Sequence, residues 1–266
     1  MARVIAIANQ KGGVGKTTTC INLAASLVEN RRHVLLVDLD PQGNATTGSG
    51  VDKLDLEFSV LDVLTGQASL VDAMHYSEQC GYQLLPANRD LTAAEVVLLD
   101  LPEREARLRE ALAPVRDNYD YILIDCPPSL NMLTVNALVA ADSVLIPMQC
   151  EYYAMEGLTD LIGSIQRITE SLNPQLEIEG ILMTMHDPRL SLTMDVTEQL
   201  KEYFGDQLFE TLIPRNVRLA EAPSHGMAAL GYDKQSKGAQ AYLALATELV
   251  KRQRQRQRSK TSNRNH

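Results

Sequence analysis

A glycine-rich stretch near the start of the numbering limits the possible folds of this chain more than any other feature. Residues 9–18 read NQKGGVGKTT, after the apolar run Val4–Ala8 and before a helix-like segment from Thr17 to about Glu29. Glycines let a turn curl so that successive N–H groups point at one anion. A helix that follows offers its own free N–H groups and positive dipole end to the same anion. Strand, glycine-rich turn and helix in this order predict a phosphate-binding loop.

The residues at the end of that loop carry its chemistry. Lys16 is placed to reach the β- and γ-phosphates of a nucleotide, and the Thr17 hydroxyl to take a place on Mg²⁺. The usual spacing puts a first glycine at position 10, where this chain has Gln10, and a second lysine, Lys11, stands near the start of the loop instead. A flexible turn is the alternative interpretation of so short a match, but the flanking strand and helix favour the phosphate loop.

Two further apolar runs end in carboxylates. Val34–Val37 leads into Asp38 and Asp40, and Tyr121–Ile124 leads into Asp125, as a Walker B strand does. Ligands of open α/β sheets bind at the carboxyl ends of the strands, so these acids should lie beside the loop. Turn formation alone could explain the Asp pair. A place near Mg²⁺ and phosphate is the favoured interpretation.

Apolar runs alternate with helix-like segments along the whole chain. This alternation predicts an α/β fold with a single doubly wound, mostly parallel sheet and helices on both faces. We expect a P-loop nucleotide-binding domain over residues 1–250 and a basic, disordered tail over 251–266. The sequence also predicts a helix over Ser69–Tyr76, a strand over Leu208–Ile213, and a last helix that ends near Val250.

Charge is distributed unevenly along the chain. The net charge is −9 over 266 residues, but residues 251–266 hold seven Lys or Arg and no acid, so the tail is at +7 and the rest at −16. A tail that touches DNA and a solubilising disordered end both fit this pattern. The four cysteines form no C-x-x-C pair, so neither a zinc site nor a disulfide framework is indicated.

Five motifs together resemble the ParA/Soj chromosome-partitioning ATPases, which belong to the ParA/MinD family with a deviant Walker A loop. They cover most of the chain, and only the basic tail falls outside the resemblance. The motifs are KGGVGKTT at 11–18, DLDPQGN at 38–44, ILIDCPPS at 122–129, QCEYY at 149–153 and IPRNVRLAEAPSHG at 213–226.

The resemblance implies ATP and Mg²⁺ as ligands and assigns residues to them. Lys11, Lys16 and Asp40 are implied to be catalytic, with Lys11 acting on the nucleotide of a second subunit and Asp40 orienting the attacking water. Mg²⁺ is implied at Thr17, Asp40 and Asp125. The implied ATP contacts are Lys11, Gly12, Gly13, Val14, Gly15, Lys16, Thr17, Thr18, Glu151, Pro214 and Asn216.

The same resemblance implies partners. ATP would join two copies in a sandwich homodimer that binds DNA without sequence preference, and a ParB-type protein would stimulate hydrolysis in the cytoplasm, on the nucleoid. Candidate DNA contacts are Arg189, Arg218, Lys234 and Lys237, although each alone could be an ordinary solvated charge. A membrane anchor is disfavoured because the tail has no apolar face.

Two other functions stay open on the sequence. A positioning ATPase of the same type could move a protein cargo instead of a chromosome, because the partner selects the cargo. A P-loop synthase could use the same loop to phosphorylate or amidate a small molecule, although the sequence shows no second polar constellation for a substrate.

Overall fold

The computed structural model describes residues 1–151, 154–189 and 191–264, apart from the side chains of 154, 156, 191–195, 257 and 259–264. Its single sheet has the strand order β3-β4-β2-β5-β1-β6-β7, and all pairs are parallel except β3 with β4. The strands are β1 Arg3–Ile7, β2 Val34–Asp38, β3 His75–Ser77, β4 Tyr82–Leu85, β5 Tyr121–Asp125, β6 Ser143–Gln149 and β7 Glu177–Thr184.

Helices cover both faces of the sheet. Short 3₁₀ turns occur between several of them, at Arg89–Ala93, Leu98–Asp100, Arg116–Asn118, Gly205–Gln207 and Ala222–His225. The α-helices are α1 Lys16–Glu29, α2 Asn44–Gly48, α3 Val60–Thr65, α4 Leu70–Ala73, α5 Ala94–Val97, α6 Arg107–Leu112, α7 Met132–Ala140, α8 Ala154–Ser171, α9 Ser191–Phe204, α10 Val217–Glu221, α11 Ala229–Tyr232 and α12 Lys237–Arg264.

The core consists of two apolar layers, one on each side of the sheet. Along β1, Val4 and Ala6 belong to one layer while Ile5 and Ile7 belong to the other. Successive side chains of a strand point to opposite faces, so a strand buried on both faces must be apolar throughout. The uninterrupted apolar runs therefore come from the centre of a parallel sheet, and the predicted fold class is confirmed.

The expected strand over Leu208–Ile213 is wrong. That segment makes only isolated bridges, Ile181 with Leu208 and His186 with Pro214. The N–H groups of Phe209 and Ile213 still donate to carbonyls of β7, each at 2.9 Å. Between them, the N–H groups of Glu210 and Thr211 donate to the Glu248 carboxylate on α12, each at 2.9 Å. A side chain that takes these donors leaves them unable to join a ladder.

The expected helix over Ser69–Tyr76 is too long. Helix α4 ends at Ala73, and Tyr76 lies in β3, opposite Gln83 of β4. Short four-residue segments such as this one carry no periodicity that separates helix from strand.

The last helix is longer than the sequence indicates. Helix α12 continues past Val250 to Arg264, so the expected disorder of the tail is wrong for residues 251–264. Two arginines fix it to the body. Arg252 donates to the carbonyls of Asp206 and Leu208 at 2.7 and 2.6 Å, and Arg256 donates to the carboxylate of Glu179 at 2.8 Å.

Glu179, which accepts from Arg256, also binds residues of the sheet. Its side chain is 1% exposed and also accepts from Arg3 at 2.8 Å and from the Ser143 hydroxyl at 2.7 Å. A buried carboxylate needs charged partners to stay ionised. The end of α12 therefore satisfies a group that the sheet already buries. The division into a 1–250 domain and a separate tail stays a prediction.

We expect Arg252→Gln to lower the free energy of unfolding by about 1–3 kcal/mol, because it removes charge-assisted hydrogen bonds to two carbonyls. The Arg252 guanidinium also lies 4.4 Å from the centre of the Phe209 ring, and that packing is lost as well. Urea unfolding followed by circular dichroism measures the change. The exposed neighbour supplies a matched control, since Lys251→Gln should shift the value by less than about 0.5 kcal/mol. Equal losses of unfolding free energy in the two variants would show that Arg252 does not anchor α12 to the body.

Candidate nucleotide site

The amino end of α1 has no side-chain cap. Its N-cap is Gly15, in the left-handed conformation at φ 88°, and no side chain bonds to the free N–H groups of the first turn. Gly13 is also left-handed, at φ 74°. Open backbone donors and the positive end of a 14-residue helix form a site for an anion. The predicted loop thus has the geometry that phosphate binding needs.

Neighbouring strands hold the loop in place. The Asn9 side-chain amide donates to the carbonyl of Pro147 at 2.8 Å, and the Thr184 hydroxyl donates to the carbonyl of Val14 at 2.7 Å. The Gln149 amide reaches the carbonyl of Gly13 at 3.2 Å. Asn9 and Thr184 are not among the site residues that the sequence predicts. A polar residue at the end of an apolar strand was the only available signal.

Lys16 is almost fully buried and points along the loop. Its Nζ donates to the carbonyl of Lys11 at 3.1 Å. Burial lowers the pKa of Lys16, while the nearby carboxylates of Asp125 and Asp40 act in the opposite direction. Lys16 has one uncharged acceptor in a partly desolvated site, so it is well placed to bind a phosphate oxygen as well.

Asp125 ends β5 directly beside β1, with its Cα in register with Ile7. It is fully buried, and neither carboxylate oxygen has a hydrogen bond from the described residues, although Thr17 and Cys20 face it. Burial and the charge of Asp38 raise the pKa of Asp125. A buried carboxylate that forms no hydrogen bond is unusual, and a cation with its waters would satisfy it.

Asp38 pairs in register with Asp125 but is satisfied internally. Its carboxylate accepts from the Thr46 N–H and hydroxyl, each at 2.8 Å, and from the Asp40 N–H at 3.1 Å. Burial raises the pKa of Asp38 despite these bonds. Its role is to order the turn that presents Asp40, a function that the sequence did not reveal.

Asp40 is partly exposed and caps its own turn, accepting from the N–H of Gln42 at 2.9 Å. In the described part of the chain, no three His, Cys, Asp or Glu side chains converge to hold a metal by themselves. Mg²⁺ commonly binds through one or two carboxylates together with phosphates and water. Thr17, Asp40 and Asp125 are suited to that kind of site.

A cleft of about 240 Å³ continues from the loop. Gly15, Thr18 and Thr184 line one side, and Pro214 and Asn216 line the other. Asn216 also caps α10, accepting from the N–H of Arg218 at 3.0 Å. The structure thus brings the two predicted base-side residues next to the phosphate loop.

The second loop lysine has a partner within its own chain. Lys11 forms an ion pair with Glu151, and both side chains are about half exposed. Exposed pairs of this kind are worth about 0–1 kcal/mol, so the contact can be exchanged for a stronger one. Tyr152 and Tyr153, from the motif that contains Glu151, lie outside the described residues.

Three of the four candidate DNA contacts are paired with acids of the same chain. Arg189 bonds to Asp187, Arg218 to Glu221 and Asp233, and Lys234 to Glu29. Lys237 is exposed at the start of α12. Arg218, Lys234 and Lys237 lie around α10 and the start of α12, and we call this the α10 surface. Its Lys234 end reaches Glu29, the last residue of α1. No helix among the described residues is long and apolar enough to cross a membrane.

A parallel sheet with a glycine-rich loop after β1 and an aspartate at the end of the adjacent β5 defines a P-loop nucleoside triphosphatase fold.

Comparison with known proteins supports this fold. A family described as an AAA domain matches residues 2–178. The structure is similar to one of Mycobacterium smegmatis described as cobyrinic acid a,c-diamide synthase with bound ADP and magnesium, at a TM-score of 0.84, 39% identity and 96% coverage of both chains.

Relatives with assigned functions are closer in sequence than that structure. The sporulation initiation inhibitor protein Soj of Bacillus subtilis is 52% identical over 94% of this chain and 99% of its own. The chromosome partitioning protein ParA of Myxococcus xanthus is 52% identical over 95% of this chain and 89% of its own. The chain belongs to the ParA/Soj family of chromosome-partitioning ATPases.

The pKa shift of Asp125 predicts a pH-dependent stability. A carboxyl whose pKa is raised on folding binds more protons in the folded state. Its contribution is therefore complete below its ordinary pKa and is lost as pH rises through the raised value. Without metal or nucleotide, the wild type should lose stability between about pH 4 and about pH 8. Asp125→Asn should show a shallower loss in urea unfolding. The same slope in both proteins would contradict a raised pKa at Asp125.

Proposed function

We propose that this chain is a Mg²⁺-dependent ATP hydrolase that partitions DNA. ATP binding joins two copies, the dimer binds DNA without sequence preference, and hydrolysis stimulated by a ParB-type partner separates the copies. The protein then acts in the cytoplasm, on the nucleoid. The observation that carries this proposal is the uncapped end of α1, which faces a buried carboxylate without donors while a second lysine stands at the loop entrance.

Each residue has a role in the proposed cycle. Backbone N–H groups of Gly12–Thr18 hold the phosphates, and Lys16 neutralises the β- and γ-oxygens. Thr17, Asp40 and Asp125 hold Mg²⁺, which supplies positive charge to the transferring phosphoryl group. Asp40 is the exposed carboxylate of the three and orients the attacking water. Pro214 and Asn216 contact the base.

Lys11 couples the nucleotide to the dimer. Its pair with Glu151 lies at the surface and has little net stability, so Lys11 is free to move to the phosphates of a second copy. Phosphoryl transfer depends on positioning and on positive charge at the γ-phosphate, and a charge supplied by a partner makes turnover depend on assembly. Glu151, once released, is placed to contact the ribose of the partner's nucleotide.

A P-loop synthase is the second candidate, because a similar structure carries the name of an amide synthase. The identity to ParA and Soj proteins is higher, 52% against 39%, and over nearly the same share of the chain. The cleft beside the loop, at about 240 Å³, is of a size for the nucleotide base and leaves little room for a second substrate. DNA partitioning is therefore the better supported function.

We expect Lys11→Ala to retain ATP binding but to stay monomeric with ATP, because only the contact with the second copy is lost. Light scattering with ATP or ADP measures dimerisation, and a fluorescent ATP analogue measures binding. Lys16→Ala should lose ATP binding itself, and Glu151→Gln should still dimerise. An ATP-bound Lys11→Ala dimer would contradict the role of Lys11. ATP turnover that required glutamine and a carboxylate substrate would favour the synthase instead.

We expect Lys237→Glu to weaken ATP-dependent DNA binding several-fold while ATP-driven dimerisation stays intact. Lys237 is exposed, and glutamate in the first turn of a helix does not harm folding. Arg218→Glu should act in the same direction. Fluorescence anisotropy with a labelled duplex measures the affinity at two salt concentrations. Arg109→Glu, an exposed reversal on α6, is the matched control and should have little effect. Equal losses of DNA affinity in Lys237→Glu and Arg109→Glu would show that the α10 surface does not bind DNA.

A further inference from the structure

A groove between the end of α1 and the last turns of α12 concentrates positive charge. It has a volume of about 510 Å³, and its lining includes Asn30, Arg32, Lys251, Arg254 and Arg258. None of its lining residues in the described part of the chain is acidic. Two acids border it: Asp120 lies 3.4 Å from Arg32, and Glu29, which precedes Asn30, is paired with Lys234. We call this feature the basic groove.

The helix that forms the groove has two different faces. Arg252 and Arg256 lie four residues apart and point to the body, where they bond to carbonyls and to Glu179. Lys251, Arg254 and Arg258 follow the i, i+3, i+7 spacing of another face. These three side chains are exposed, and no ion pair holds them in the described structure. The inward arginines thus fix the helix while the outward cations stay available.

The basic groove lies at the opposite end of the sheet from the nucleotide site. Helices α1 and α12 run side by side, and the Thr19 and Tyr242 hydroxyls meet at 3.0 Å near the loop. Arg32 stands just before β2, at the amino edge of the sheet. The 14 residues of α1 separate the two ends by about 20 Å. The groove is therefore distinct from the nucleotide cleft, and its lining includes no residue of the α10 surface.

The chemistry of the groove fits a polyphosphate backbone. Along α12 its cations recur about every 5 Å, and a DNA strand carries a phosphate about every 3.4 Å of axis, so several contacts can form at once. The guanidinium fork of arginine also matches phosphate oxygens. Protein partners are normally held by buried apolar and aromatic anchors, but Val250 is the one apolar residue in the described lining, and residues 251–264 contain none. Polar, strongly positive surfaces are typical of nucleic-acid interfaces.

We propose that the basic groove is a second DNA-backbone site, which binds duplex phosphates without sequence preference and without ATP. It goes beyond the nucleotide-controlled binding proposed above. The groove is complete in a single copy, because α1 and α12 of one chain form it. ATP-driven dimerisation would add the α10 surface to a contact that the monomer already makes.

The test uses the full-length, nucleotide-free protein and a labelled duplex of about 30 base pairs, with anisotropy measured over a series of salt concentrations. Arg254→Glu with Arg258→Glu removes two outward cations. We expect the affinity to fall at least about tenfold and the slope of log K against log salt to become shallower by about two, since each phosphate contact contributes about 0.9. Basal ATP hydrolysis should not change.

The matched control is Arg109→Glu with Lys201→Glu, which changes the net charge equally at exposed positions on α6 and α9. It should alter the affinity by less than about threefold. Lys237→Glu should leave nucleotide-free binding unchanged, so failure of this proposal and failure of the ATP-dependent one give different results.

Three outcomes would overturn the proposal. The groove variant could bind DNA as the control does, or the nucleotide-free wild type could fail to bind the duplex at low salt. Polyglutamate could bind in place of the duplex and lose its binding in the groove variant, which would assign the groove to an acidic protein partner.

Discussion

The uncapped end of α1 and the unsatisfied carboxylate of Asp125 are two incomplete sites that face each other. One presents positive dipole and free N–H donors, and the other presents a buried carboxyl group that forms no hydrogen bond among the described residues and whose pKa is raised by burial. Neither is stable by the usual rules for buried polar groups. A bound phosphate with its cation would satisfy both at once. The loop, the strand order and the turn after β2 all serve to keep these two features close together.

Strand order explains why two aspartates at equivalent positions behave differently. β2 and β5 are neighbours, so Asp38 and Asp125 end side by side at the same edge of the sheet. Two like charges that close together raise the cost of ionising both. Thr46 relieves this at Asp38 through two hydrogen bonds, and that leaves Asp125 as the carboxylate still available. The turn ordered by Asp38 then carries Asp40 toward the loop.

The features that depend on neighbouring residues in the sequence could be predicted. The double-sided apolar runs identified the central strands, and the loop glycines and strand-ending acids identified the site. Contacts between distant residues were not visible. Glu248 prevents a strand at Leu208–Ile213 from 35 or more positions away, and Glu179 holds Arg256 from the other side of the sheet. The charge run after Val250 was read as disorder, because the sequence does not show that two of its arginines face buried acceptors.

Helix α12 links the two basic surfaces without coupling them. It begins at Lys237, on the α10 surface, and ends beyond the basic groove. Between these ends, Tyr242, Leu245 and Leu249 are fully buried in one core layer. A helix packed this closely along its middle has no second arrangement of similar energy, and coupling between sites requires an element with two. The groove should therefore keep its shape whether or not nucleotide is bound, while the surface near the cleft is the one that assembly can change.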